Sequence, residues 1–424
     1  MEEFDKGAHA RPEAARPPGT ATPGEPSPYI VPGTALFLRS NLGLFAAGFA
    51  TMALLYTVQP ILPLFSAQFH VSPAASSLAL SLTTLLLAIM MLVVSGISES
   101  LGRKPVMMIS LFAACLLTFA LAAAPAWPAL LLFRALMGIA LSGLPAVAMA
   151  YVGEEMKPTS IGFSMGLFVA STGIGGMAGR LLTGVLTDFY GWRIAVALVA
   201  GLGIICGLGF VALLPPSRHF QPRPLALHTL LGAYRLHLKD ALLPWLFIEG
   251  FLMMGSFVAI YNYIGYRLLA PPFSLSQAEV GLIFAVYLAG IFGSAAMGEI
   301  ATRVGRPRIF RTALMIDLAG IVLTLSHQLD IVILGLAVLT FGFFAAHAIA
   351  SGWVGMRAGK AKAQASALYL FLYYLGSSVI GSAGGFFWTG AGWHGVAGLT
   401  GGLVLLGALL ALRLARIEAR AISP

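Results

Sequence analysis

The sequence has little charge and little cysteine. Only 10% of its 424 residues are Asp, Glu, Lys or Arg, whereas soluble domains carry roughly 25%. A water-soluble protein of this size could not cover its surface with so few charged side chains, so a soluble globule is excluded. The two cysteines, Cys115 and Cys206, both lie within apolar runs. They allow at most one disulfide, and we interpret them as small buried hydrophobic residues.

Motifs for the use of ATP and for metal binding are also missing. The sequence contains no Gly-x-x-x-x-Gly-Lys-[Ser/Thr] phosphate loop and no Cys/His cluster with metal-ligand spacing. We therefore predict that the protein is not an enzyme, that it has no catalytic or metal site, and that it needs no cofactor. The net charge of +9 does not indicate nucleic-acid binding, because the basic residues are scattered between apolar runs.

Apolar runs are what the sequence has in abundance. Each is about 20 residues long, which is enough to cross roughly 30 Å of hydrocarbon as a helix. We predict an all-α integral membrane protein with twelve transmembrane helices, called spans 1 to 12. Their approximate bounds are 41–67, 74–95, 105–124, 128–152, 161–186, 192–214, 242–268, 278–298, 309–327, 330–353, 364–388 and 393–415.

The composition outside the spans predicts the domain organisation. Residues 1–35 are polar and rich in proline, so we expect a disordered tail. Residues 36–215 and 242–416 hold six spans each, and the Arg-, His-, Lys- and Pro-rich segment 216–241 links these two halves. Residues 417–424 form a short C-terminal tail.

The distribution of Lys and Arg predicts the orientation in the membrane. With twelve spans, 21 of the 25 basic residues fall on one side, which the positive-inside rule assigns to the cytoplasm. Only Arg134, Arg180, Arg193 and Arg267 lie within spans or on the other side. We therefore predict a multi-pass protein of the inner (plasma) membrane, embedded in the lipid bilayer with both termini in the cytoplasm.

The two halves look like copies of one another. Residues 95–104 and 298–307 are similar stretches between apolar runs, and the step from Gly102 to Gly305 is 203 residues. A second pair, Gly191 and Gly392, has almost the same step of 201 residues. Two equivalent halves built from membrane spans are typical of transporters that bind their substrate between the halves, near the middle of the membrane.

The repeated loop resembles the signature loop of the major facilitator superfamily. That loop is of the Gly-x-x-x-Asp-x-x-Gly-Arg-Lys type, and here Glu99 stands at its acidic position. Ser95 replaces the first glycine, and Thr302 stands at the acidic position of the second copy. The matching residues are Gly102, Arg103 and Lys104 in the first copy and Gly298, Gly305 and Arg306 in the second. The resemblance implies two pseudo-symmetric six-helix bundles, a cavity lined by spans 1, 4, 7 and 10, and a monomer.

Two further motifs point to a proton-coupled exporter within this superfamily. Arg134 in span 4 is similar to the arginine motif of proton-coupled members. Gly173, Gly175 and Gly176 in span 5 are similar to the antiporter motif of drug:proton exporters with twelve spans, although Thr172 replaces the proline of that motif.

Four shorter stretches look like the YnfM-like branch of the superfamily, whose members are often labelled arabinose-efflux permeases. These stretches are 59–63, 250–257, 263–267 and 342–347, and the resemblance to the superfamily covers about 41–415. It does not identify a substrate.

The resemblance implies a gate formed by the two signature loops. Glu99 would pair with an arginine and face the start of span 11, which would latch the halves in the outward-open state. The gating residues that we assign are Glu99, Gly102, Arg103, Lys104, Gly305 and Arg306. The alternative is that Arg103 and Lys104 only fix the orientation in the membrane.

Three ionisable residues inside the spans are candidates for proton coupling. Arg134 lies roughly 10 Å deep and could hold substrate or favour the charged form of a nearby carboxylate. Alternatively, its side chain snorkels to the lipid headgroups. Glu249 has only apolar neighbours in sequence, which favours the neutral, protonated form of its carboxyl; alternatively, it is hydrogen-bonded to an adjoining helix. His347 could relay a proton with Glu249 at a similar depth, or be hydrogen-bonded to a neighbour without such a role.

Polar and aromatic side chains near one side of spans 1 and 7 are candidates for substrate binding. We assign this role, together with Arg134, to Tyr56, Gln59, Tyr261, Asn262 and Tyr266. The alternative is that the tyrosines are anchors at the membrane interface. Arg180 and Asp188, eight residues apart in span 5, could form an external gate or a structural pair.

Together these features predict a secondary active transporter that works by alternating access. We predict export of a small organic, drug-like solute in exchange for protons. Proton-coupled uptake of a nutrient or metabolite is one alternative, and a membrane sensor or scaffold that does not transport is another.

Overall fold

The computed structural model describes residues 29–220, 227–359 and 361–422, and within them the chain is almost entirely helical. Spans 1 to 6 are Ala35–Phe69, Pro73–Leu101, Arg103–Ala122, Trp127–Glu155, Ile161–Tyr190 and Trp192–Leu213. Spans 7 to 10 are Leu243–Leu269, Gln277–Val304, Arg306–Leu323 and Leu329–Arg357. The helical element Lys362–Ile422 contains spans 11 and 12, and a linker helix, Leu227–Leu238, lies between the halves.

The number of spans in the described ranges follows from length, composition and one kink. Ten helices are long and apolar enough to cross a membrane, counting Lys362–Ile422 once. That element has non-helical dihedral angles at Ala391 (φ −142°, ψ 19°) and Gly392 (φ 56°, ψ −142°), so it holds two spans. Arg306–Leu323 is the remaining helix, and its three arginines and one aspartate make it the least apolar of the series.

Prolines divide two spans into shorter helices. Span 1 consists of Ala35–Tyr56 and Leu62–Phe69, joined by a 3-10 turn that contains Pro60. Proline has no N–H to donate, so it ends the first helix and leaves the carbonyls of that helix's last turn without partners. Pro145 likewise begins the second helix of span 4, after a break at residues 142–144.

Glycines with a left-handed backbone stand at equivalent turns of the two halves. Gly102 (φ 96°) and Gly305 (φ 108°) each end the second span of their half, and Gly191 (φ 77°) and Gly392 (φ 56°) each precede the sixth. Residues with a Cβ atom rarely adopt these backbone angles, so glycine is strongly favoured at such turns. The first pair lies on the side of the protein where span 1 begins, called the terminal face, and the second pair lies on the opposite side, called the distal face.

Segments outside the spans pack against the terminal face. Ile30, which we expected in the disordered tail, is only 4% exposed, and its backbone bonds with that of Glu155 (2.8 Å) and of Lys157 (3.1 Å). The rest of the predicted tail, residues 1–28, lies outside the described residues, as do linker residues 221–226. The linker helix touches both halves, because Tyr234 donates to the Leu92 carbonyl (3.1 Å) and His237 to a carbonyl of the loop before span 11 (3.0 Å).

Candidate functional site

The two halves are joined by hydrogen bonds on the distal side. Within the described ranges, every hydrogen bond between spans 1–6 and spans 7–12 lies between the distal face and mid-depth; we call this set the distal contact. Its hydrogen bonds link Gln59 to Asn262 (2.8 Å), Gln277 to the Pro60 carbonyl (2.6 Å), Tyr266 to Ser66 (2.7 Å) and to the Leu62 carbonyl (3.1 Å), Ser81 to Ser382 (2.8 Å), Thr84 to Ser378 (2.7 Å) and Asp188 to the Ala278 N–H (3.4 Å). The distal side is therefore closed.

Small residues let the two halves come into backbone contact there. A Cβ atom placed on Gly184 of span 5 would lie 2.4 Å from the Cα of Gly281 in span 8. A Cβ on Gly385 of span 11 would lie 2.4 Å from the Cα of Ala74 in span 2. Since both clashes would be with backbone atoms, no side-chain rotation could relieve them. Closure of the distal side thus depends on the absence of a side chain at these two glycines.

Arg180 lies beneath the distal contact, between the halves. It is ten residues from the distal end of span 5, or about 15 Å, and is only 2% exposed. Its Nε donates to Gln59 Oε1 (2.5 Å) and its Nη1 to the Gly176 carbonyl (2.7 Å). The guanidinium lies 3.7 Å from the centre of the Tyr56 ring and 4.7 Å from that of Tyr287. Among the described residues Arg180 forms no ion pair with a carboxylate.

A column of aromatic rings runs from Arg180 towards the terminal face. Tyr287 packs against Tyr261 (5.1 Å between ring centres) and Phe257 (5.6 Å). Phe257 stacks on Phe343 at 3.8 Å, and Phe343 stacks on His347 at 6.2 Å. We call these rings, with Tyr373 beside His347, the aromatic column. Spans 7, 8, 10 and 11 supply it, so it belongs to the second half and meets the first half at Arg180.

The structure brings together four of the residues assigned to substrate binding. Tyr56 and Gln59 surround Arg180, Gln59 bonds to Asn262, and Tyr261 stands in the aromatic column and bonds to Thr340 (2.5 Å). Tyr266 lies apart from them, in the distal contact. These placements leave the roles themselves as predictions.

The pairing of Arg180 with Asp188, considered from the sequence, is not formed. Eight residues of α-helix separate the two by about 12 Å along span 5, and their bonds go to Gln59 and to the Ala278 N–H respectively. Both side chains nevertheless act at the junction of the halves. From the sequence we considered Arg180 only as a partner of Asp188. The feature that indicates a separate role is that Arg180 lies in an apolar run with no acidic residue one helical turn away.

Glu249 and His347 lie on either side of Tyr369 and do not bond to each other. His347 Nδ1 is hydrogen-bonded to the Tyr369 hydroxyl (2.9 Å), and the ring of Tyr369 lies against Gly250, next to Glu249. Glu249 is fully buried, and neither of its carboxyl oxygens has a hydrogen-bond partner among the described residues. Its Oε2 points to Gly407 in span 12, at the back of the second half.

Arg134 neither snorkels nor faces the aromatic column. It is fully buried, and its guanidinium donates to the carbonyls of Leu55 (2.8 Å), Leu54 (3.5 Å) and Ala79 (2.5 Å). The first two carbonyls end the helix that Pro60 interrupts, where the helix dipole also favours a cation. In this state Arg134 connects spans 1, 2 and 4, and none of its described partners is a carboxylate.

Replacing Arg134 with methionine should therefore destabilise the protein. The substitution keeps apolar bulk but leaves buried carbonyls without donors, each of which costs about 1–3 kcal/mol. We expect a lower melting temperature of the purified protein together with weaker transport. A normal melting temperature with a raised KM would instead indicate that Arg134 contacts the substrate, as the sequence motif suggested.

The first signature loop is held within its own half. Arg103 forms a two-pronged ion pair with Glu154 at the end of span 4 (2.6 and 3.1 Å) and bonds to Ser98 (2.6 Å). Lys104 donates to the carbonyls of Leu214 and Val211 at the end of span 6. Glu99 has no hydrogen bond or ion pair with any described residue. The pairing of Glu99 with an arginine, which the resemblance implied, is thus not formed in this distal-closed state.

The other assigned motif residues lie in the second loop and in span 5. Arg306 follows Gly305 and interacts electrostatically with Glu418 near the end of span 12. In span 5, a Cβ on Gly175 would lie 2.1 Å from the Phe49 carbonyl oxygen, so this glycine packs span 5 onto span 1. A Cβ on Gly176 would face Arg180 (3.2 Å), and one on Gly173 would face span 8 at an ordinary 3.7 Å.

Comparison with known sequences gives one family and several close relatives. The profile described as Major Facilitator Superfamily matches residues 44–272. The MFS-type transporter YybF of Bacillus subtilis is 47% identical over 388 residues, which cover 92% of this chain and 96% of YybF. The inner membrane transport protein YnfM of Escherichia coli is 46% identical over 392 residues, covering 92% and 94%.

Solved structures of transporters share the fold. The nucleoside transporter NupG superposes with a TM-score of 0.73 at 16% identity, covering 88% of this chain and 99% of NupG. A bacterial homologue of the human lysosomal transporter Spinster, in an inward-facing conformation, superposes with a TM-score of 0.68 at 15% identity, covering 90% and 95%. The predicted fold class is confirmed. The prediction that the protein is not an enzyme is confirmed as well, because the family and the relatives YybF and YnfM are transporters.

Proposed function

Because the chain belongs to the major facilitator superfamily of membrane transporters, we propose that it exports a small organic solute across the inner membrane in exchange for protons. The observation that carries this proposal is the distal contact. All hydrogen bonds between the described parts of the halves lie from the distal face to mid-depth, so the halves can separate there and close on the other side. That is the motion that alternating access needs.

We place the terminal face in the cytoplasm, on the basis of the Lys and Arg bias. The described state is then closed to the outside, with the aromatic column leading from the cytoplasmic side to Arg180. On opening to the outside, Glu99, Arg103 and Lys104 would form the cytoplasmic gate with the start of span 11, and Gly305 and Arg306 the equivalent gate in the second half. The absence of a Glu99 pair in the distal-closed state agrees with this assignment.

The proton-binding site that we propose is Glu249, with His347 connected to it through Tyr369. A carboxyl buried with no hydrogen-bond partner is far less costly as the neutral acid than as the carboxylate, so Glu249 would carry a proton in this state. For exchange, Glu249 would take up its proton from the outside when the distal side is open. Rearrangement of spans 7 and 12 would then admit water from the terminal side and release the proton to the cytoplasm as the solute binds. In this scheme Arg134 is a structural support of the first half.

The direction of transport is tested with a compound panel and proteoliposomes that contain a pH dye. Compounds are added on one side only, to proteoliposomes in which the protein has one known orientation. Proton movement into the lumen that is coupled to movement of the compound in the opposite direction would support export by antiport. Co-movement of compound and proton would show uptake instead, and the absence of any flux for every compound would favour a sensor or scaffold.

A further inference from the structure

We propose that the buried site around Arg180, between the two halves, binds the negatively charged group of an organic anion with a planar apolar body, which makes such anions the cargo class. This inference rests on the proposed transport function. It starts from the charge of Arg180, which no described carboxylate balances. Burying a guanidinium without a counter-ion is costly, so a bound anion would be strongly favoured there.

Arg180 differs in this respect from the three other arginines that lie within spans or on the distal side. Arg134, Arg193 and Arg267 each donate to two or more backbone carbonyls at the ends of helices. Such carbonyls carry the negative end of the helix dipole and offset the charge. In the described part of the chain, Arg180 donates to one backbone carbonyl, that of Gly176, and to the neutral amide of Gln59. The Gly176 carbonyl lies within span 5 and not at a helix end, so no helix-end carbonyl offsets the charge of Arg180 as it does for the other three.

The position of Arg180 suits a ligand that contacts both halves. Tyr56 and Gln59 reach it from the first half, and Tyr287 and Phe284 from the second. The distal contact seals it from one side, and the aromatic column connects it to the other. Substrate sites of two-half transporters lie at such a junction near mid-membrane, where binding can change the balance between the two open states.

The side chains around Arg180 indicate which ligand would fit there. The face of the guanidinium is covered by Tyr56 at 3.7 Å, so an anion would approach the edge, where a planar guanidinium holds a carboxylate with two parallel hydrogen bonds. The rings of Tyr287 and Tyr261 would then lie beside the rest of the ligand. Stacked or edge-on contacts with these rings favour an aromatic or conjugated body.

The test compares matched ligand pairs on the purified full-length protein. The probes are benzoate with benzamide, and indole-3-acetate with indole-3-acetamide, measured by calorimetric titration and by shift of the melting temperature. We expect each carboxylate to bind at least about tenfold more tightly than its amide, because a hydrogen bond to a charged group is worth more than a neutral one. Equal binding within each pair, or binding of neither carboxylate, would overturn the proposal.

A variant that fills the site from within makes the test specific. Gln59→Glu puts a carboxylate where the Gln59 amide oxygen now lies 2.5 Å from Arg180 Nε, so it should abolish the preference for carboxylates. It also removes the donor to Asn262, and the melting temperature of the variant reports whether the fold tolerates that loss. Arg193→Gln is the matched control, since Arg193 also stacks on an aromatic ring, Trp192 (4.4 Å), but at the distal face. It should leave the preference intact. A Gln59→Glu protein that still prefers carboxylates would contradict the assignment.

Failure of this inference is distinguishable from failure of the proposed function. If neutral or cationic compounds drive proton antiport while carboxylates neither bind nor move, export stands and the anion site is wrong. If Gln59→Glu abolishes the carboxylate preference but no probe moves protons, the anion site stands and proton-coupled export is wrong.

Discussion

Replacing Gly184 with alanine is expected to hold the distal side of the protein open and to stop transport. The added Cβ would lie 2.4 Å from the Cα and 3.1 Å from the backbone nitrogen of Gly281, so the halves would have to move apart. Forcing a methyl group into such a contact costs about 1–3 kcal/mol. That energy acts only on the distal-closed state, so its population relative to the open state should fall about 5- to 150-fold.

The labelling of a single cysteine would measure this shift. Ser66→Cys puts a thiol at the Ser66–Tyr266 bond of the distal contact, in a protein whose native Cys115 and Cys206 are replaced by alanine. A membrane-impermeant maleimide should react at least about five times faster when Gly184→Ala is added.

Gly166→Ala is the matched control for this variant. It is the same substitution in the same span, but a Cβ there meets no atom within 4 Å. It should leave both the labelling rate and transport unchanged. If Gly184→Ala behaves like Gly166→Ala, the distal contact does not limit closure, and the alternating-access assignment of this face is wrong.

The parts of the fold that follow from chain-local rules could be predicted from the sequence. Spans follow from apolar length, and the two-half architecture follows from glycine turns, because only glycine suits the backbone angles at Gly102 and Gly305. Gly191 and Gly392 repeat the same reasoning at the distal face. The breaks at Pro60 and Pro145 are chain-local too, although we predicted both spans as uninterrupted.

The candidate site could be predicted only in part, because it depends on which side of each helix meets which neighbour. Tyr56 and Tyr261 are both near the junction, as expected, yet the charge at that junction is Arg180, which comes from span 5. Arg134 looked like the functional arginine because it is deep and matches a family motif. Two of its partners are the carbonyls of Leu54 and Leu55, 80 and 79 residues away in sequence, near the end of the helix before Pro60, and no pattern within span 4 reports them.

The same limitation applies to Glu249 and His347. Their similar depth suggested a direct pair, but on a helix a difference of one or two residues turns a side chain to another neighbour. Tyr369, from span 11, occupies the space between them. The sequence places a residue in depth along its span, and packing between spans decides its contacts.

Glu249→Gln is the second variant with a large expected effect, namely the loss of proton coupling. Glutamine has the shape of the neutral acid but cannot release a proton, so the variant should remain folded and behave at every pH as wild type does with Glu249 protonated. In proteoliposomes, compounds that drive proton flux in wild type should drive no measurable proton flux in the variant. Exchange of labelled for unlabelled compound, which needs no net proton movement, should persist.

A measurement without cargo can separate coupling from damage to the protein. If Glu249 controls the change of state, the labelling rate of Ser66→Cys should depend on pH in wild type and should lose that dependence in Glu249→Gln. The control is Glu299→Gln, which removes an exposed carboxylate paired with Arg303 on the surface. Such a pair contributes little to stability, so labelling in this variant should keep the wild-type pH dependence.

Tyr369→Phe removes the hydroxyl that bonds to His347 and should slow proton release without abolishing it. Unchanged proton flux in Glu249→Gln would show that this carboxyl is structural, and the transporter would then be coupled elsewhere or not at all.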